Sequence, residues 1–350
     1  MGALVDGFGR RLTYLRVSVT DRCNMRCLYC MPQSGVPLVE HGDLLTYEEI
    51  VRIVRVGARL GIRAVRLTGG EPLVRRDLVD LVRALSSIPG IEDISLTTNA
   101  SLLEGMAHRL REAGLKRVNV SLDSLDPARF AIITGGGDLA AVLKGIDSAL
   151  DAGLSPVKVN CVVLKGLNES EIPRFLDMAA SKAIHIRFIE LMPVGWNRAW
   201  FDERFIPAAQ VREVVERDLR TRGWWLRQAA RGRGLGKGMG PAACYDIVED
   251  RDHVAGTPGG CRVIGTVGFI SAITEHFCGA CNRMRLTSVG RLSPCLASGV
   301  EVDLKGALRG GCADAEIETL FRQAASAKPA GHHMECAAGL DRRLMSRIGG

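Results

Sequence analysis

No stretch of this chain reads as a membrane span: the longest uncharged, apolar-leaning run, Val263 to Thr274, falls well short of the roughly 18 residues that a spanning helix needs. Its first residues, Met1 to Arg10, carry Asp6 and three glycines and lack the basic-then-apolar order of a secretory signal. Aromatic residues make up 5% of the chain and none falls within its Arg/Gly-rich stretch, Arg231 to Gly240, so the stacking platforms that single-strand nucleic-acid binding needs are missing there. Internal repeats are also lacking. These absences predict a cytoplasmic protein with neither a membrane nor a nucleic acid as partner.

What is present suits a folded, two-part chain. The 350 residues exceed a typical single domain, and 47% hydrophobic with 24% charged residues is ordinary for a protein with a sizeable core. A net charge of +7 is compatible with an anionic partner without saying which one. The alternating glycines of Arg231 to Gly240 cannot pack a core and mark a surface loop, so the expected division is 1–228 and 229–350. Eleven cysteines in a chain this long, clustered towards both ends, point to metal ligation rather than disulfides. Cys161, Cys244, Cys261, Cys312 and Cys336 stand alone and are expected to be small core or surface residues.

Hydrophobic periodicity orders the first part. Strands are expected at Tyr14 to Val19, Ala64 to Thr68, Asp93 to Thr97, Arg117 to Leu122, Val157 to Val163 and Ile184 to Ile189. Between them fall helical patterns, the first opened by a capping box at Thr46 and Glu49 and carried by Ile50, Ile53 and Val54. Six strands alternating with helices argue for right-handed βαβ units forming either a barrel or an open doubly wound sheet. Polar residues recur near the strand ends: Thr97, Thr98 and Asn99, then Ser121 and Asp123, Lys158 and Asn160, Arg187 and Glu190. Such recurrence predicts a site at the mouth of the strands. After Met192 the pattern breaks; a helix near Val211 to Leu219 follows, then strands at Tyr245 to Val248 and Cys261 to Ile270, and a helix carrying Ile317, Leu320 and Phe321.

The chemistry centres on two cysteine triplets, Cys23-x3-Cys27-x2-Cys30 and Cys278-x2-Cys281-x13-Cys295. A structural zinc site wants four fixed ligands, which neither triplet supplies without a distant His or Cys. An iron–sulfur cubane held by three thiolates instead leaves one iron open for a substrate or cofactor. Two incomplete triplets in one chain fit two such clusters better than two zinc ions.

The first triplet, with Tyr29 ahead of its last cysteine and Gly69-Gly70-Glu71-Pro72 after the second strand, resembles the radical S-adenosylmethionine (SAM) superfamily. That resemblance implies an α/β fold, a partial (β/α)6 barrel, with a smaller C-terminal α+β domain carrying the second cluster. The second triplet, Arg283-Met284-Arg285 and the Gly349-Gly350 end narrow it to the GTP 3′,8-cyclase family of molybdenum cofactor biosynthesis. The resemblance implies two 4Fe–4S clusters on Cys23, Cys27, Cys30 and on Cys278, Cys281, Cys295, with SAM as co-substrate. It implies SAM contacts at Tyr29, Gly70, Ser121 and Met192. GTP contacts are implied at Arg16, Arg66, Thr97, Lys158 and Arg283 to Arg285, with Arg187 a further candidate. Arg283, Arg285, Gly349 and Gly350 are implied to act in catalysis. The implied partners are GTP, a low-potential flavodoxin- or ferredoxin-type electron donor, the downstream cyclic pyranopterin monophosphate synthase, and a second copy in a homodimer. In one departure, members of that family often carry Lys two residues before the strand-two Arg. This chain has Ala64, so one phosphate contact is either absent or supplied from elsewhere.

Overall fold

A computed structural model of the chain describes residues 2–229, 241–250, 261–332, 334 and 345. The Arg231 to Gly240 loop and the Gly349-Gly350 end lie outside the described residues.

Six parallel strands in sequential order form the frame: β1 (Tyr14–Ser18), β2 (Ala64–Thr68), β3 (Asp93–Thr98), β4 (Arg117–Ser121), β5 (Val157–Val163) and β6 (Ile184–Glu190). The connecting helices are α1 (Tyr47–Arg59), α2 (Leu78–Ser86), α3 (Ala107–Glu112), α4 (Pro127–Thr134), α5 (Leu139–Asp151) and α6 (Ile172–Ser181). The capping box forms as the sequence predicts: Glu49 N donates to Thr46 Oγ1 at 3.2 Å and Thr46 N donates to Glu49 Oε2 at 2.8 Å. Ile50, Ile53 and Val54 of α1 and Leu78, Leu81, Val82 and Leu85 of α2 are fully buried against the strands' outer faces.

The C-terminal stretch does not build a sheet of its own. A short helix, α7 (Phe201–Arg204), and α8 (Ala208–Thr221) lead to β7 (Trp224–Gln228), β8 (Ala243–Asp250) and β9 (Cys261–Ile270), and β9 pairs parallel with β6. At the other edge β10 (Arg283–Leu286) pairs parallel with β1 and is followed by antiparallel β11 (Arg291–Ser293) and β12 (Val302–Asp303). The chain then closes with α9 (Leu304–Arg309) and α10 (Asp314–Ser326). The result is one twelve-stranded sheet, β12-β11-β10-β1-β2-β3-β4-β5-β6-β9-β8-β7, in which the second cysteine triplet flanks a strand that extends the six-stranded frame.

The register decides what faces inward. Side chains alternate across a strand, so one row of paired positions lines one face. Arg285, Arg16, Arg66, Ser95 and Arg117 are successive register partners across β10, β1, β2, β3 and β4. Thr97, Asn119, Lys158 and His185 form a second row across β3 to β6, and Ser121, Asn160 and Arg187 a third.

Candidate active site

These rows wall a cavity of about 310 Å³, bounded on one side by the first cysteine triplet and on the other by the second. Of the residues expected from sequence, Arg16, Arg66, Thr97, Lys158 and Arg187 line it, as do Tyr29, Gly70, Ser121 and Met192. Arg283 and Arg285 line it too, because alternate residues of β10 face inward; Met284 between them is fully buried in the core on the opposite face. The Met284 side chain therefore cannot touch a ligand in the cavity, and only its backbone remains available.

The Cys23, Cys27 and Cys30 loop is held to the end of β2 by backbone contact. Gly70 N donates to Thr20 O and Glu71 N to Arg22 O, each at 2.8 Å. A Cβ on Gly70 would sit 2.3 Å from Arg22 O, so this approach tolerates no side chain. Glu71 turns away from the cavity: it accepts from Leu73 N at 3.0 Å, Thr98 Oγ1 at 2.7 Å and Asn99 N at 2.6 Å. Asn99 in turn donates to Asn24 Oδ1 at 2.8 Å, which ties the end of β3 to the cysteine loop. Burial pushes Glu71 up to about 7 despite those donors.

Thr98 and Asn99, expected at the mouth, thus serve as braces. So does Glu190, whose carboxylate accepts from Ala208 N at 2.8 Å and Ile273 N at 2.7 Å and anchors the segment leading to the second triplet. Asp123 does line the cavity, but its Oδ2 accepts from Tyr29 Oη at 2.6 Å and its Oδ1 from Val162 N at 2.8 Å. It thereby fixes the Tyr29 ring beside the cysteine loop.

The donor chemistry at both triplets fits iron–sulfur clusters. Burial pushes Cys23 up to about 12, with the neighbouring Cys27 and Glu71 adding to it, and contact with Cys30 together with burial raises Cys27. Crowded, buried thiols of this kind release their protons when a cationic centre binds the thiolates. At the second triplet burial alone would raise Cys281, but Lys328 and Arg283 outweigh it and hold the thiol below its usual value. Lys328 Nζ lies 3.5 Å from Cys281 Sγ and also donates to Arg283 O at 2.8 Å and Pro294 O at 2.7 Å, joining the two halves of the triplet.

Between the triplets the cavity is cationic. Burial, and then repulsion from Arg285 and Arg66, brings Arg16 well below its usual value. Burial and then Arg187, Arg117 and Arg66 bring Lys158 down to about 6. Arg117 pairs with Asp93, Nε to Oδ1 at 3.0 Å, whereas among the described residues Arg66, Lys158 and Arg187 have no carboxylate partner. Thr97 Oγ1, Asn119 Oδ1, Asn160 Oδ1 and Arg187 Nε are buried without hydrogen-bond partners among the described residues. Unpaired buried cations and orphaned polar atoms are costly, and a polyanionic ligand carrying hydroxyl and amide-like groups satisfies both.

Sequence reasoning missed several wall residues, Arg117, Asn119, Lys328 and His332 among them. Arg117 shares the inward face with Ser121 at even spacing and was within reach of a period-2 argument. Lys328 and His332 reach the cavity from the segment after α10, and no local pattern links them to the cysteines.

Residues 17–179 match the model of the radical SAM superfamily, and residues 184–334 match that of the molybdenum cofactor synthesis C-terminal domain. The chain is 48% identical over 347 residues to the GTP 3′,8-cyclase of Pelotomaculum thermopropionicum, covering 99% of each. It is 46% identical over 353 residues to that of Moorella thermoacetica, again covering 99% of each. Among solved structures, Streptococcus suis SuiB bound to precursor peptide SuiA shares the fold, with a TM-score of 0.50 at 18% identity. That match covers 61% of this chain and 48% of SuiB. With relatives of one name aligned over 99% of the chain and both family models matched, this chain belongs to the GTP 3′,8-cyclase family of radical SAM enzymes.

Proposed function

We propose that this chain cyclises GTP to (8S)-3′,8-cyclo-7,8-dihydroguanosine 5′-triphosphate in molybdenum cofactor biosynthesis. The observation that carries the reading is a single cavity with one cysteine triplet at each end and rows of buried cations between them. When bound, a 4Fe–4S cluster on Cys23, Cys27 and Cys30 and its SAM supply the 5′-deoxyadenosyl radical that takes the ribose 3′ hydrogen. The chain's own residues bind, orient and exclude water.

Gly70 offers bare backbone and Ser121 a hydroxyl to the amino-acid part of SAM, and Met192 and the Tyr29 ring offer apolar surface to its remainder. Arg16, Arg66 and Arg285 stand side by side on three adjacent strands, an arrangement suited to the three phosphates of GTP. Lys158, Arg187 and Thr97 hold the nucleotide from the opposite strands. Cys278, Cys281 and Cys295 would hold a second 4Fe–4S cluster beside the base, with Arg283 between cluster and substrate. The cavity keeps the ribose facing SAM. The same reading calls for a low-potential one-electron donor, and it places the downstream pyranopterin synthase next in line for the product.

The test is an anaerobic reaction of the iron–sulfide-reconstituted chain with SAM, dithionite and GTP deuterated at C3′, read by mass spectrometry of 5′-deoxyadenosine. Deuterium in that product is the expected result. Unlabelled 5′-deoxyadenosine would keep the radical SAM chemistry and overturn the substrate.

A further inference from the structure

The β4 wall of the cavity holds one polar side chain that has as yet no task. Asn119 stands between Arg117 and Ser121 on the inward face of β4, lines the cavity and is only 3% exposed. Its register partners are Thr97 on β3 and Lys158 on β5, both expected to hold GTP. Asn119 Oδ1 and Thr97 Oγ1 are each buried without a hydrogen-bond partner among the described residues. Neighbouring strands lie about 4.8 Å apart, so these two side chains stand next to one another.

The chemistry around them narrows what can satisfy them. Arginine and lysine donate and never accept, whereas a carboxamide oxygen only accepts. An ionised triphosphate also only accepts, so it matches the cations and leaves Asn119 Oδ1 unpaired. The donors that GTP does offer are its two ribose hydroxyls and the N–H groups of guanine. Guanine belongs beside the second triplet, which β10 brings to the cavity, and β1, β2 and β3 separate β10 from β4. The ribose is the part left for Asn119.

Stereochemistry points the same way. In a ribonucleotide the 2′ and 3′ hydroxyls lie on one face of the ring, and the 3′ hydrogen and the base lie on the other. Presenting the 3′ hydrogen to SAM therefore turns both hydroxyls away from SAM. The first triplet follows the C-terminal end of β1, and Ser121, the expected SAM contact, is the last residue of β4. A diol turned away from that end meets the row of Thr97 and Asn119, one step deeper. Thr97 can donate as well as accept, but the Asn119 oxygen requires a donor.

We propose that Asn119 is a specificity-determining residue whose carboxamide oxygen accepts a hydrogen bond from the ribose cis-diol, an inference that rests on GTP being the substrate. The contact selects a ribonucleotide and holds the ring with its 3′ hydrogen towards SAM.

The test is anaerobic calorimetry on the cluster-reconstituted, SAM-loaded, full-length chain with GTP, 2′-deoxyGTP and 3′-deoxyGTP. Wild type should bind at least one of the two analogues about tenfold more weakly than GTP, the cost of one unpaired buried acceptor. Asn119→Leu keeps the branched shape and removes the acceptor, so GTP should bind more weakly and the preference should fall to within about twofold. Asn119→Asp keeps an acceptor and should keep the preference. In both variants SAM affinity should stay within a few-fold. The deuterium passed from C3′-deuterated GTP to 5′-deoxyadenosine should also fall in Asn119→Leu, and unchanged labelling would overturn the positioning role. An unchanged preference in Asn119→Leu, or none in wild type, would overturn the assignment. So would loss of the preference in Asn160→Leu alone, since Asn160 pairs with Ser121 one row nearer SAM. Circular dichroism checks folding, and Asn119→Ala carries the same expectations if Asn119→Leu does not fold. Wild type that binds no GTP at all would overturn the substrate itself, which separates the two failures.

Discussion

Lys158 should make nucleotide binding take up a proton. Its ammonium is buried among Arg187, Arg117 and Arg66, and burial first and those cations second bring it down to about 6. At neutral pH in the empty cavity it is mostly uncharged. A triphosphate supplies the opposite charge and restores the ammonium, so each bound nucleotide draws in up to one proton. Between about pH 8 and pH 9 a terminal phosphate, whose last pKa lies near 6, no longer titrates. In that window the Kd of the SAM-loaded enzyme for GTP should weaken by up to tenfold per pH unit, about 1.4 kcal/mol. The sign for folding is opposite. A lysine whose folded value lies below its unfolded one leaves the unfolded chain holding more protons between about 6 and 10.5, so the ligand-free protein becomes more stable as pH rises through that window. Isothermal titration calorimetry in buffers of different ionisation enthalpy counts the proton directly. Lys158→Met should flatten both the affinity profile and the proton count. An affinity independent of pH in wild type, or an unchanged slope in Lys158→Met, would refute the argument.

Arg66→Ala removes the middle of the inward strand-two face and should weaken GTP binding by about 10- to 100-fold, the worth of a charge-assisted hydrogen bond, while SAM binding stays within a few-fold. Equal losses for both ligands by calorimetry would mean the residue is structural. Glu71→Ala strips the acceptor from Leu73 N, Thr98 Oγ1 and Asn99 N and should cost about 3 kcal/mol in urea unfolding, with Glu71→Gln costing less. Tyr29→Phe leaves Asp123 Oδ2 without its donor and should cost about 1–2 kcal/mol of stability yet keep SAM binding within a few-fold. Abolished SAM binding in a folded Tyr29→Phe protein would show that the hydroxyl, not the ring, makes the contact.

The frame was legible because it follows local rules. The capping box, the apolar faces of α1 and α2 and the six strands all lie within a residue or two of where periodicity places them. Many inward polar residues of β3 to β6, such as Thr97, Ser121, Lys158 and Arg187, were legible for the same reason, since a period of two needs no tertiary knowledge. What stayed hidden depends on pairing between distant segments. Arg283 to Leu286 is too short to announce a strand, yet its pairing with β1 brings the second triplet to the cavity. The glycine-rich stretch marks the expected division at 228/229, and two strands that follow it, β9 and β10, extend opposite edges of one sheet. Asn99 and Glu190 looked like site residues because they sit at strand ends. Which way a strand-end side chain turns depends on neighbouring loops, and here partners from those loops claimed them.

The row Arg285, Arg16, Arg66, Ser95, Arg117 bears on the lysine that this chain lacks at position 64. Ala64 is fully buried, and its register partner on β3 is Asp93, the carboxylate that holds Arg117. A lysine at 64 would bring another cation beside that pair, in a cavity where burial and neighbouring cations already disfavour the charged forms of Arg16 and Lys158. Alanine keeps the layer beneath the arginine row neutral and leaves Asp93 to Arg117, whose guanidinium reaches the cavity wall. The positive charge that family members often carry on strand two thus has a counterpart two strands over, already neutralised in part by its own carboxylate. Such a pair contributes less attraction to an incoming phosphate than a free ammonium does, and it costs the empty protein less. Lys158 and Arg187 make the other compromise: no ion-pair partner stands beside them among the described residues, and burial with neighbouring cations disfavours their charged forms. The cavity's cations therefore differ in cost: Arg117 is held ready by its own carboxylate, whereas Lys158 and Arg187 are left for an incoming anion to pair.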